Sequence, residues 1–142
     1  MPMPLEYRQA SADYDAFMKD LVASSMLTSS HQAYTMLQAV LQVFRRRLTF
    51  AEAISFANVL PPVLRAIFVS DWDVDLPKSP FAERDELMKE VRAFRHDHNL
   101  STETAIEDVT STIRRHVDPA AFDRVMKTLS AEARGFWSMG SA

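Results

Sequence analysis

Cysteine is absent from these 142 residues, and glycine occurs twice, as Gly135 and Gly140. Without cysteine there is no disulfide framework, no thiol nucleophile and no thiolate zinc site, a composition compatible with a reducing compartment. Glycine supplies the positive-φ positions of tight hairpins and the close backbone approach of phosphate-cradling loops. A chain that is glycine-free up to Gly135 therefore argues against type I′ hairpins, the dinucleotide fingerprint and the P-loop. Most nucleotide-enzyme readings fall with that absence. An excess of basic charge is also missing: Lys and Arg number 16 against 19 Asp and Glu, a net charge of −3. A nucleic-acid binder would normally be basic over a whole face. Nowhere do about 18 apolar residues run together, and Met1-Pro2-Met3-Pro4-Leu5-Glu6 has no basic region followed by an apolar one. The expectation is a cytoplasmic protein without a membrane span, long enough to bury a core of its own.

What the chain does have is helical periodicity. Tyr14, Phe17, Met18, Leu21 and Val22 form one apolar stripe between about Ser11 and Ser25. A second helix is capped by Ser29 or Ser30, turns Ala33, Met36, Leu37, Val40, Leu41 and Phe44 inward, and ends in Arg45-Arg46-Arg47. Thr49-Phe50-Ala51-Glu52 is a capping box, and Pro61-Pro62 closes that helix and starts a short fourth one through about Phe68. Residues 70–80 lack a helical period and read as a linker. Beyond it, Ser79 with Pro80, Ser101, Asp118-Pro119 and Ser130 mark four further helix starts, the last helix ending at Trp137.

Sliding the sequence on itself by 69 residues sets Leu48 on Val117, Phe56 on Val125, Leu60 on Leu129 and Phe68 on Trp137. The same shift sets Arg45, Arg46 and Arg65 on Arg114, Arg115 and Arg134; for the first helix it becomes 70, placing Met18-Lys19-Asp20 on Met88-Lys89-Glu90. The predicted fold is therefore all-α: two pseudo-symmetric four-helix repeats, 11–69 and 81–137, packed as one cooperative domain, with a 1–10 extension and a 138–142 tail.

The run Met36 to Leu48, then Glu52-Ala53, Leu60-Pro61, Leu64-Arg65-Ala66 and Trp72, resembles the bacterial domain of unknown function 2267 family over roughly Tyr14 to Trp137. Ala66 stands where that pattern has glycine, and Ser130 where the second copy would have the motif proline. The resemblance implies an all-helical bacterial protein and brings no established activity with it.

The six repeated arginines, Arg45, Arg46, Arg65, Arg114, Arg115 and Arg134, are the candidate interaction or anion-binding residues, since guanidinium groups offer planar bidentate donors. Their architectural reading is that the first two of each copy cap their own helix end, while Arg65 and Arg134 reach a carboxylate such as Asp15 or Asp85. Asp71, Asp73 and Asp75 have the spacing of the first calcium ligands of an EF-hand loop, but Leu76 and Ala82 break the match, leaving a solvated acidic linker whose Trp72 closes the core edge. His96 and His98 are the only clustered histidines, without a di-iron or His-Glu-x-x-His pattern. No Gly-x-Ser-x-Gly elbow is present. No catalytic residue, cofactor or metal site is assigned. Gly135 falls opposite Ala66, which predicts a right-handed helical φ and a close neighbour over its Cα.

Three readings follow. The leading one is a non-enzymatic interaction or scaffolding module that binds another protein or itself, at the seam between the copies or the arginine-bearing end of the first. The second is a DNA-associated regulator using Thr49–Leu60 and Pro62–Phe68 as a helix-turn-helix. The third is a small-ligand binder or enzyme with an interior pocket.

Overall fold

A computed structural model describes residues 2–94 and 101–138. Among them the chain is entirely helical: α1 (Leu5–Arg8), α2 (Ala10–Ser25), α3 (Ser30–Arg45), α4 (Phe50–Ala57), α5 (Pro62–Val69), α6 (Arg84–Ala93), α7 (Ala105–Arg115), α8 (Pro119–Met126) and α9 (Ala131–Trp137). Side-chain caps set most of the starts. Ser29 accepts from the Gln32 N–H, Asp118 from Ala121 and Ser130 from Ala133, while Thr49 and Glu52 form the full capping box. Each answers an N–H that has no partner inside its helix.

Two starts differ from the sequence expectation. Ser79 does not cap α6; its N–H donates to the Arg46 carbonyl at 2.9 Å, and Phe81 packs beside Phe44, so the chain stays tethered and non-helical until Glu83. Ser101 does not cap α7, which opens at Ala105; there the Thr102 and Thr104 hydroxyls donate to the Asp108 carboxylate. The 1–10 extension also carries the one-turn helix α1.

α3 is the centre of the molecule. The expected inward stripe is buried, and so are Thr35, Gln38, Ala39, Gln42, Val43 and Arg45, so that no residue from Thr35 to Arg45 reaches solvent appreciably. The reason is its neighbours: α2, α5, α6 and α7 all pack on it, leaving no face for water. α2 also packs along α7, and α4 along α8. At the far end of α3, Phe44, Phe56, Phe122, Phe136 and Trp137 interlock, with ring centroids 5.0 Å apart for Phe44 and Phe56 and 5.1 Å for Phe56 and Trp137. Residues from both halves of the sequence therefore share one core.

The glycine shortage leaves a mark on the backbone. Met26, at the C-terminal end of α2, and Asp71, just beyond α5, occupy left-handed φ of 63° and 52°. A side chain in that region costs about 1 kcal/mol, and it is where a chain richer in glycine would place one. Gly135 sits inside α9, and the space around it is open: a Cβ built there would meet nothing within 4 Å. The expected close neighbour over its Cα is absent, because Gly135 lies on the side of α9 that borders a small cavity with Phe81, Arg84 and Leu87.

Candidate functional site

The repeated arginines are spent on backbone carbonyls and on carboxylates, those of Arg46 and Arg115 in the opposite half and those of Arg65 and Arg114, Glu6 at 3.9 Å and Asp123 at 3.7 Å, in their own. Arg45 does not cap its own helix. Its Nη1 donates to the Phe68 and Ser70 carbonyls at 2.8 and 2.9 Å, closing the end of α5, and its guanidinium lies over the Trp72 ring, 4.9 Å from the centroid. Arg114 does the equivalent for α9, donating from Nε to the Trp137 carbonyl at 2.9 Å while it covers Phe122. Arg65 and Arg134 do not reach Asp15 or Asp85. Arg65 donates to the Ala57 carbonyl that ends α4 and to Leu60 in the turn after it, and Arg134 to Leu129 in the equivalent turn after α8.

Arg46 pairs with Glu90 of α6 at 3.4 Å, and the same carboxylate takes the buried Arg47. Arg115 pairs with Asp20 of α2 at 3.1 Å, and that carboxylate also meets His116 Nε2 at 2.9 Å. The Arg115 hydrogen bond, against the cost of burial and with help from His116, holds the Asp20 carboxyl down at about 2 from 3.8. A folded-state value below the unfolded one means stability gained above pH 3.8 and lost as the pH falls toward 2. Asp20→Asn should therefore cost on the order of 1 kcal/mol at pH 7 for this partly exposed pair, and the difference in urea midpoint from the parent chain should shrink steadily between pH 5 and pH 2.5. A gap independent of pH would assign the effect to packing instead.

Two of the six arginines, Arg45 and Arg46, come together at a cavity of about 760 Å³; the other four lie outside it. Its walls are the end of α3, the start of α4 with Leu48, Thr49 and Phe50, the segment Asp71–Lys78, and the end of α6 with Glu90, Ala93 and Phe94. The 71–78 segment forms a strap whose anchor is residue 70. Gln42 Nε2 donates at 3.1 Å to the Ile67 carbonyl, the Ser70 carbonyl and Ser70 Oγ, beside the two Arg45 bonds. Further along, the Asp75 N–H donates to Asp73 Oδ1 at 3.1 Å and the Leu76 N–H to the Asp73 carbonyl, which holds a turn. Trp72 is half-buried under Arg45 and meets Phe50 edge to face at 5.4 Å. Burial pushes the Arg45 guanidinium down from its usual value, with the Asp71 carboxylate opposing.

The expectation that Trp72 closes a core edge holds, but the linker is also the roof of a pocket, and Gln42, Phe50, Val74, Leu76, Glu90 and Phe94 were not among the candidates. Exposure supplies the signal that periodicity lacks. Phe50, Ile54, Val74 and Leu76 are large apolar residues between 52% and 62% exposed, three of them lining the cavity and Ile54 one helical turn beyond Phe50. Among the described residues no three His, Asp or Glu side chains are placed to hold a metal ion, Asp71, Asp73 and Asp75 included; His96 and His98 lie outside the described residues. No helix among the described residues is long and apolar enough to cross a membrane.

These observations define, among the described residues, an all-helical protein with a pocket of about 760 Å³ roofed by the segment 71–78. The chain belongs to the family described as uncharacterized conserved protein DUF2267, whose family model matches residues 14–136. No curated protein matches it.

Proposed function

We propose that the chain is a non-enzymatic interaction module that takes a segment of a partner protein into the pocket beneath the 71–78 strap. The observation that carries this reading is the gathering of Phe50, Val74 and Leu76, exposed and apolar, around one cavity, with exposed Ile54 one helical turn beyond Phe50. Contiguous exposed apolar surface is costly to a monomer and marks contact sites.

The internal duplication supports the same reading. Under the 69-residue shift the carbonyl-closing arginines recur with the same acceptors: Arg45 on Phe68 and Arg114 on Trp137, Arg65 on Leu60 and Arg134 on Leu129. The cross-half pairs recur as well, Arg46 and Arg47 on Glu90 against Arg115 and His116 on Asp20. What recurs is scaffold. Two apolar pocket residues and their exposed neighbour do not recur: Phe50 falls on Pro119, Phe94 on Ser24, and Ile54, one turn from Phe50, on Asp123. One end of a two-fold plan has been made apolar and the other polar, a difference that the fold does not need.

α5 lends the DNA-associated reading no support. It buries Leu64, Ile67 and Phe68, and Arg65 is turned onto backbone carbonyls, so no polar recognition face is left. The cavity volume favours one further reading, a small-molecule carrier, because about 760 Å³ is within the range of ligand pockets. A photo-cross-linking residue in place of Ile54, activated in cells that make the protein, separates the two. A discrete adduct of polypeptide mass, lost when Leu76→Asp is added, supports docking. No adduct, together with a co-purifying small molecule in native mass spectrometry, overturns docking in favour of the carrier.

A further inference from the structure

We infer that the pocket's partner is a basic amphipathic helix, whose apolar side chains enter between α4 and the strap while its Lys or Arg side chains lie along the strap's carboxylates. The inference rests on the docking reading above and adds the chemistry of the occupant.

The charge argument begins with which groups are already spent. Arg45 is 8% exposed and donates to two carbonyls; Arg47 is 6% exposed and shares Glu90 with Arg46. At the inner end Arg46 and Arg47 thus share the single carboxylate of Glu90, and Arg45 is turned onto carbonyls and stands beside Asp71, so these cations are engaged by the protein itself although they outnumber Glu90. Along the strap, Asp71 stands in the field of Arg45, whereas Asp73 and Asp75 are exposed and, among the described residues, make no ion pair. The one other charge on the strap is Lys78, also exposed. The strap therefore offers carboxylates that alternate with Trp72, Val74 and Leu76, facing Phe50 across the cavity, with exposed Ile54 one helical turn further along α4. An acidic segment would bring its charge against Asp73 and Asp75, with Lys78 and the Glu90-bound Arg46 as its exposed compensation among the described lining residues. A basic segment with apolar residues at helical spacing satisfies both walls at once.

Three labelled 18-residue peptides, read by anisotropy, test this on the full chain: a Leu/Lys amphipathic helix, its Leu/Glu counterpart and a scrambled Leu/Lys sequence without the stripe. Sedimentation velocity of the chain alone reads its self-association. The Leu/Lys helix should bind at least tenfold more tightly than either control peptide, and its affinity should fall as salt rises. Asp73→Asn with Asp75→Asn should weaken it about tenfold. Asparagine keeps the side-chain oxygen that accepts from the Asp75 N–H, and both sites are exposed, so circular dichroism should be unchanged. Ile54→Asp should abolish binding. If the Leu/Glu helix binds equally well, or the double variant binds unchanged, the basic-partner inference is overturned, while sensitivity to Ile54→Asp still supports the docking site. If no peptide binds in a manner sensitive to Ile54→Asp, the docking reading itself fails. A dimer that dissociates on Ile54→Asp assigns the pocket to a second copy and overturns the inference as well.

Discussion

Arg45→Met should destabilise the protein by about 3 kcal/mol and weaken partner binding at the pocket more than tenfold, whereas Arg114→Met should cost about 1 kcal/mol and leave binding unchanged. The two arginines make the same kind of contact on paper, a bond to the last carbonyls of a helix and a guanidinium over an aromatic ring. Their surroundings differ. Arg45 is buried, so methionine in its place leaves the Phe68 and Ser70 carbonyls to be desolvated with less compensation, and unmade bonds to a charged donor cost roughly 1.5–3 kcal/mol each. The Arg114 side chain is 39% exposed, so water can take over from it. The functional difference follows from Ser70. Gln42 and Arg45 together pin that residue, and the strap with Trp72 begins directly after it. Removing one of the two pins loosens the roof of the pocket, while nothing of the pocket hangs on Arg114. Urea unfolding with paired titrations of the Leu/Lys helix measures both effects. Equal losses of binding in the two variants would show that the strap does not depend on its anchor.

Helix positions were readable because their causes are local. Ser29, Thr49 with Glu52, Asp118-Pro119 and Ser130 act through neighbours three residues away, and each opens a helix as its type suggests. Ser79 and Ser101 have the same chemistry but fail as caps, because a tertiary bond to Arg46 holds the first and Thr102 and Thr104 serve the second helix start. The arginines were visible as repeated positions, yet their acceptors were not. Arg65 finds a carboxylate at 3.9 Å, but that of Glu6 in α1 and not Asp15, and its hydrogen bonds go to the Ala57 and Leu60 carbonyls, which are backbone groups that carry no sequence signature. The complete burial of α3 was hidden for a related reason: Gln38, Gln42 and Arg45 look like an outward face until α6 and α7 arrive from the second half of the chain. The candidate site was half legible. Arg45, Arg46, Trp72 and the three aspartates stand out one by one in the sequence, but only the fold of 71–78 back over the start of α4 makes them one pocket.

Trp137→Ala should cost about 4 kcal/mol, the largest loss of any single residue named here, and Trp137→Phe should cost about 1. Trp137 is fully buried near the end of the described chain and touches Phe44, Phe56, Phe122 and Phe136, so it joins α3 and α4 of the first half to α8 of the second. Truncation opens a cavity lined by rings that cannot collapse into it, since Phe44 and Phe56 are held at 5.0 Å by each other. A loss of that size is a large part of the 5–15 kcal/mol that holds a domain of this kind together. Phenylalanine gives back part of the loss in a specific way. Among the described residues the Trp137 Nε1 donor is buried without a partner, a desolvation cost of about 1–3 kcal/mol that disappears with the indole and offsets much of the lost ring volume. Denaturant midpoints at unchanged slope would read both numbers. If phenylalanine proves as damaging as alanine, the indole N–H has a hydrogen-bond partner in solution and the account of this aromatic centre as purely apolar is wrong. If alanine costs less than about 2 kcal/mol, the two halves are held together elsewhere, with the Arg46–Glu90 and Arg115–Asp20 pairs the next contacts to break.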